Sequence, residues 1–311
     1  MFRKETLYVK QPKEAQQGKD GKNMSEFTNK IDFAVVFSVK NANPNGDPLN
    51  GNRPRETYDG FGEVSDVCLK RKIRNRMMDL GYPVFVQSDD RNVDGIRSLS
   101  DRAGAAPELK EAGKDKEKYA AAACKKWMDV RTFGQVFAFK SKEKGAEGDG
   151  VSVGVRGPVS IQTAVSVAPI DISSMQITKS VNSETSDKKS SDTMGMKHRV
   201  DFGMYVTYGS INHQLAEKTG FSDEDAEIIR QILVTLFEND ASSARPDGSM
   251  EVCKVIWWKH NCFLGQYSSA KVHRCLKVSR KPGVEIAKSQ EDFEIRVEEL
   301  PDLKVEIYDG I

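Results

Sequence analysis

The chain has 311 residues, with 47 Lys and Arg against 46 Asp and Glu and a formal net charge of +1. That length supports a large core, as one elaborate domain or two small ones. With 38% hydrophobic and 30% charged residues, and no window near eighteen uncharged apolar residues, the composition excludes a membrane-spanning helix and describes a rather polar globular chain.

Residues 1–29 read as a disordered N-terminal extension. They are rich in Lys, Gln and Gly over 8–23 and lack the apolar segment of a secretory signal, and Met24 is an alternative start. A run apolar almost throughout, 31–39, predicts a buried central strand. A turn-rich loop follows, Asn41-Ala-Asn-Pro-Asn-Gly-Asp-Pro48, then Gly51-Asn-Arg-Pro-Arg55. A helix over 65–80 has Ser65 as N-cap and Leu69, Ile73, Met77 and Leu80 on one face, and Gly81 and Pro83 end it. Residues 83–87 read as the next strand.

Residues 88–126 break the pattern as a charged helical insertion, with a helix near 114–126. Residues 127–140 return toward the core, and 141–150 form a charged loop. Strand character resumes over 151–170 with a break at Gly157-Pro158. The stretches 172–179 and 200–208 form two arms around a polar tip, 181–196, which predicts a protruding hairpin over 172–206. Ser222 and Asp225 form a capping box for a second helix carrying Ile229, Ile232, Leu233 and Leu236. Strands follow at 251–259, 271–278, 292–298 and 303–308. The order is a stretched β-α-β-β-α-β plan, the α+β ferredoxin-like or RRM topology, whose open sheet face is a common RNA platform. A clear RNP1 motif is missing.

Charge is unevenly spread. From residue 285 to the end there are nine acidic and three basic residues, net −6, which leaves +7 for the rest. Five of the seven residues from Lys70 to Arg76 are basic. No acidic residue lies between 67 and 78, so the run predicts phosphate contacts by Lys70, Arg71 and Arg74 rather than ordinary helix-surface pairs. Loops as long as 41–55 are uncommon between core elements and usually functional. Within it a proline stiffens Arg53 and Arg55, and Asn45-Gly46 and Asn50-Gly51 mark turns.

Several motifs together resemble the CRISPR-associated Cas-seven superfamily. They are Asn43-Pro-Asn-Gly-Asp-Pro48, Asp66-Val-Cys-Leu-Lys-Arg-Lys-Ile-Arg74, Asp129-Val-Arg-Thr-Phe-Gly134, Arg156-Gly-Pro-Val159, Thr193-Met-Gly-Met-Lys-His198, 215–225 and Lys277-Val-Ser-Arg280. The pattern is most similar to the type I-C (Dvulg, Csd-two-like) Cascade backbone subunit. The resemblance implies a modified RRM palm, a helical insertion at 88–126 and a hairpin thumb. It implies crRNA as partner, target DNA reached through guide pairing, copies of the chain in a head-to-tail filament, and other Cascade subunits. Its RNA-binding positions fall on Asn43, Asn45, Arg53, Arg55, Lys70, Arg71, Arg74, Arg131, Phe133, Arg156, Thr178, Lys179, Met194, Met196, Lys197, His198, Arg199 and Arg280. Met194 and Met196 read as wedges beside a displaced base, with Lys179, Lys197 and Arg199 on phosphates.

No catalytic residue, cofactor or metal is expected. Asp47 has a turn to explain it, and Asp66 a helix N-terminus. Gly60-Phe-Gly62 lacks the third glycine of a dinucleotide motif. Cys253, His260, Cys262, His273 and Cys275 match no zinc spacing. Five scattered cysteines fit a reducing cytoplasm. The competing readings are a target-RNA-cleaving endoribonuclease of related fold and a general single-strand RNA-binding module.

Overall fold

The computed structural model describes residues 26–138, 152–178 and 194–311. The chain opens with β1 (Ile31–Ala42), a short ribbon of β2 (Gly46–Asp47) and β3 (Arg53–Pro54), β4 (Phe61–Val64) and α1 (Asp66–Asp79). The insertion contributes α2 (Leu99–Ala105), α3 (Pro107–Ala112) and α4 (Lys116–Lys126). Then come α5 (Met128–Phe133), β5 (Gly134–Ala138), β6 (Ser152–Arg156), β7 (Val159–Ile161), β8 (Ala164–Pro169), β9 (Ile172–Thr178) and β10 (Met194–Ile211). The last third holds α6 (His213–Thr219), α7 (Asp223–Val234), β11 (Met250–Lys259), α8 (Ser269–His273), β12 (Leu276–Arg280), β13 (Phe293–Val297) and β14 (Lys304–Asp309).

One large antiparallel sheet carries the strands in the order β14-β11-β1-β10-β8-β4, with β7 and β9 also on β10. β1 lies at its centre, paired with β10 and β11 along its length. Alternate residues of a strand face opposite sides. Phe33, Val35, Phe37 and Val39 meet Leu69, Ile73 and Met77 of α1 and Ile229, Ile232 and Leu233 of α7. Ala34 and Val36 face the other side, where Met204, Ile256 and Trp258 meet Val272, Leu276 and Phe293. Each large side chain so buried contributes roughly 1.5–3 kcal/mol. The continuous apolar run of β1 is therefore explained by burial on two faces, not one. The ribbon β12–β13 and α8 cover this second face of the sheet.

The insertion packs into a second core, in which Leu109 and Tyr119 meet Phe85, Trp127 and Phe137 from the segments on either side of it.

The structure departs from the sequence expectations in several places. Residues 83–87 form no strand. The Asp129 carboxylate accepts the Phe85 and Val86 N–H groups at 2.7 and 3.1 Å, and so takes the place of a strand partner. Residues 271–278 divide into α8 and β12, because Ser268 caps a helical turn through the Lys271 N–H. Residues 26–29 are not a loose extension: Phe27 is buried against Phe221, and Thr28 bonds to Asp223. The returning arm of the hairpin begins at Met194, six residues before the predicted start. Residues 1–25, the loop 141–150 and most of the tip 181–196 lie outside the described residues.

Candidate nucleic-acid interface

The loop after β1 is held from inside. Asn43 is 5% exposed; its Nδ2 donates to the Asn52 carbonyl at 2.7 Å, and its backbone N–H to Ala244 at 2.9 Å. Asn45 Oδ1 accepts from both the N–H and the hydroxyl of Ser65 at 2.9 Å, which ties the loop to the N-cap of α1. A Cβ on Gly46 would stand 2.0 Å from Asn52 Oδ1, so a larger residue there would displace the Asn52 side chain. Asp47 accepts the Leu49 N–H at 3.2 Å and lies 3.4 Å from the Arg55 guanidinium. Asn43, Asn45 and Arg55 thus shape the loop. Arg53 instead reaches outward: its Nη1 donates to Ser174 Oγ of β9 at 3.1 Å, with Glu56 3.7 Å from its Nε.

The β9–β10 register sorts the hairpin residues. Met194 lies opposite Thr178, Met196 opposite Gln176, and His198 opposite Ser174. Lys197 lies opposite Met175, and Arg199 opposite Ser173. Cross-strand partners share a face. Thr178, Met194, Met196, His198 and Ser174 therefore form one face, while Lys197, Arg199, Met175 and Ile177 form the other. The methionines and these cations therefore lie on opposite sides of the hairpin. Met194 and Met196 are 60% and 55% exposed. Arg199 stands 3.7 Å from Asp201, which also accepts from Ser173 Oγ at 2.8 Å. Lys179 lies outside the described residues. The Ser174 hydroxyl is 2.8 Å from His198 Nδ1. Loop and hairpin therefore meet at Arg53, Ser174 and His198.

The basic run of α1 is not the unpaired stripe its composition suggests. Lys70 pairs with Asp66 at 3.0 Å, and Arg71 Nη1 donates to the Val86 carbonyl at 2.7 Å. Burial, then the neighbouring Arg74, lowers the Arg71 pKa. Lys72 is buried against Asp240, and burial pulls its pKa down while Asp240 opposes the shift. Arg74 Nε bonds to Asp129 at 2.9 Å and its guanidinium sits 5.1 Å over the Phe133 ring. Arg131 grips Asp225, the capping-box residue of α7, with two bonds of 2.8 Å. Gly134, at φ +81°, brings the chain so close to β6 that a Cβ would lie 2.3 Å from the Val155 carbonyl. The stretch from Asp129 to Gly134 joins α1, the segment at 85–86, α7 and β6. Arg74, Arg131 and Phe133 are thereby committed inside the protein. Arg156 is exposed on β6; Arg280 is exposed at the end of β12, donating to the Glu285 carbonyl.

The sequence reading missed a buried charge cluster. Asp32 is fully buried, with His260 Nε2 at 2.9 Å, Lys30 at 3.2 Å and His273 Nε2 at 3.7 Å. Burial pushes its carboxyl up, but hydrogen bonds from His260 and Ser269 and the charge of Lys30 hold it below the usual range. The available signal was an aspartate inside an apolar strand. Among the described residues, no group of three or more His, Cys, Asp or Glu side chains is arranged to hold a metal ion. None of the described helices is long and apolar enough to cross a membrane.

Residues 29–298 match the family model described as CRISPR-associated protein Cas7. The chain belongs to that family. A curated relative, CRISPR-associated protein Cas7 of Haloferax volcanii, is 24% identical over 229 residues; the match spans 69% of this chain and 66% of the relative. A chain of a structure described as a CRISPR RNA-guided surveillance complex, pre-nicking, is 14% identical, with a TM-score of 0.44 over 74% of this chain and 78% of that one. A second, from a CRISPR RNA-guided surveillance complex, is 16% identical, with a TM-score of 0.35 over 74% and 68%.

Proposed function

We propose that this chain is a non-enzymatic backbone subunit of a type I-C CRISPR Cascade, stacked in several copies head-to-tail along the spacer of a crRNA. The observation that carries the reading is the family match over residues 29–298. The strand order β11-β1-β10-β8, with α1 and α7 as crossovers, supports a ferredoxin-like palm. The insertion at 88–126 and the hairpin at 172–206 are the added parts, the latter as thumb. Cover on both sheet faces argues against bases stacked on a sheet, and directs the guide to the edge where loop and hairpin meet.

There Arg53, with Lys197 and Arg199 on the other hairpin face, holds phosphates while the bases stay free to pair with target DNA. Sequence specificity is then delegated to base pairing. A filament on a directional RNA needs heterologous contacts. Asp47 and Asp66 each have structural partners, which supports a binding role rather than RNA cleavage. Five unbridged cysteines favour a reducing compartment such as the cytoplasm.

The test is assembly. Purified chain and a repeat–spacer crRNA are expected to form stacked complexes that bind matched DNA and cut neither RNA nor DNA with Mg²⁺ present. Replacing residues 181–196 with a short Gly-Ser turn leaves the monomer folded and disrupts assembly. Cleavage abolished by Asp47→Ala or Asp66→Ala would sink the non-enzymatic reading.

A further inference from the structure

Tyr205 of β10 is fully buried, its ring stacked on Phe37 with 5.4 Å between centroids and 10° between planes. Its hydroxyl has no hydrogen-bond partner among the described residues. Ser166, across from it on β8, is already engaged: Oγ accepts the Gly62 N–H at 2.9 Å and donates to the Ala168 carbonyl at 2.6 Å. Burial, and then the charge of Glu56, push the Tyr205 hydroxyl well above the ordinary tyrosine range, so it keeps its proton and can donate. A buried donor without an acceptor is unfavourable, and such groups are few in folded proteins.

Gly62 shows where the hydroxyl points. A Cβ on Gly62 would stand 2.2 Å from Tyr205 Oη, so the hydroxyl fills the place that a side chain at 62 would take. Gly62 pairs with Glu56 in an antiparallel bridge. The Thr57 N–H donates to the Phe61 carbonyl at 2.7 Å, and the Glu63 N–H to the Arg55 carbonyl at 2.9 Å. These bonds flank Glu56 and Gly62, which are therefore a non-hydrogen-bonded pair, the closer kind, with Cα atoms about 4.5 Å apart. Partners in such a pair send their side chains to one face, with Cβ positions about 4.5–5.5 Å apart. Glu56 thus leaves the backbone on the face where the Tyr205 hydroxyl stands, and its carboxylate can reach that hydroxyl.

The same carboxylate has a second neighbour. Its Oε1 is 3.7 Å from Arg53 Nε, and both side chains are half-buried. At that distance the two attract by charge without a close hydrogen bond. Glu56 stands between a cation at the surface and a proton donor in the core.

We infer that Tyr205 is a positioning residue for RNA: when a phosphate takes the Arg53 guanidinium, Glu56 turns inward and accepts a hydrogen bond from the Tyr205 hydroxyl. The inference rests on the RNA-binding reading above. A phosphate and a carboxylate at one guanidinium repel each other, so the arriving phosphate favours the inward position of Glu56. The tyrosine ring is fixed against Phe37, so the carboxylate is the part that moves. No proton is transferred.

The experiment measures affinity of the full-length chain for a fluorescein-labelled single-stranded RNA by anisotropy, at fixed pH and salt, beside a melting curve for each variant without RNA. Tyr205→Phe keeps the ring and removes the hydroxyl. Its melting temperature is expected to match or exceed that of wild type, because the lost group had no partner. Its RNA affinity is expected to fall about three- to tenfold, the range of one net hydrogen bond. In a Glu56→Ala background the same change is expected to alter affinity by less than about twofold, since no carboxylate is left to receive the hydroxyl. An equal loss in both backgrounds overturns this inference alone, as does an unchanged affinity for Tyr205→Phe. A lower melting temperature for Tyr205→Phe overturns it too, because the hydroxyl would then have a partner before RNA arrives. Failure of the wild type to bind RNA overturns it together with the proposed function.

Discussion

The basic run of α1 and the Arg53–Ser174–His198 row invite opposite misreadings. The first is dense in positive charge and nearly spent: Lys70, Lys72 and Arg74 each meet a carboxylate, and Arg71 a carbonyl. The second is sparse, one half-buried arginine and one half-buried histidine on an exposed serine, and it joins segments far apart in sequence. Charge density along a helix measures how many cations a segment carries. What decides their role is whether carboxylates arrive from elsewhere in the chain. Here two arrive from positions 129 and 240, outside any helix-local pairing rule, and one from Asp66, a turn before Lys70.

The sharpest way to break this comparison is to remove a brace. Asp129 is 1% exposed and serves Arg74 and two backbone N–H groups. Asp129→Ala leaves a buried guanidinium unpaired and should cost about 3–5 kcal/mol, measured by urea denaturation. RNA affinity of the folded fraction should change by less than about twofold. A selective loss of RNA binding without loss of stability would return the brace to the interface.

Next in size, Arg53→Ala should weaken RNA binding about three- to tenfold, to a similar degree across sequences, and reduce the salt slope by about one unit. Its stability should stay within about 0.5 kcal/mol of wild type, because the side chain is on the surface. Titration of affinity against salt, beside a melting curve, separates the two effects.

A buried histidine adds a pH signature to the stability side of the contrast. Burial holds His273 below the usual range, against the pull of Asp32. Its folded pKa is thus below its unfolded value of about 6.5, and the unfolded chain binds more protons as pH falls. Its contribution is complete above about pH 6.5 and is lost as pH falls toward the folded value. The Asp32 contribution persists lower, present above about pH 3.9 and lost below it. Melting between about pH 7.5 and about pH 5.5 should show a decline that His273→Gln reduces.

The smallest expected effect is Glu56→Gln. Removing the carboxylate beside Arg53 should tighten RNA binding about twofold, since exposed pairs are weak. A weaker complex would mean that Glu56 orients Arg53 rather than competing for it.

Much of the architecture was legible because it is local. Ser65, Ser222 and Asp225 announce helix starts by cap chemistry, and each caps as read. β1 was legible as buried, but an unbroken apolar run does not say what covers each face. Residues 83–87 read as a strand because Val84, Phe85 and Val86 are strand formers; the Asp129 carboxylate took the N–H groups of Phe85 and Val86 instead. Register decided what composition could not. Met196 and Lys197 are neighbours in sequence and lie on opposite sides of the hairpin. Ser174 gave no signal at all, since one serine in a polar strand is unremarked until its partners are placed.

The second core, shared by the insertion and the segments on either side of it, has a different kind of consequence. Phe85, Tyr119, Trp127 and Phe137 close on one another, and the charged pairs of Arg74 with Asp129 and Arg131 with Asp225 help join that region to the sheet's helices. A joint of this kind is modular. The helices beyond it bury their apolar faces in that second core, so a change in their length would leave the neighbours of β1 in place.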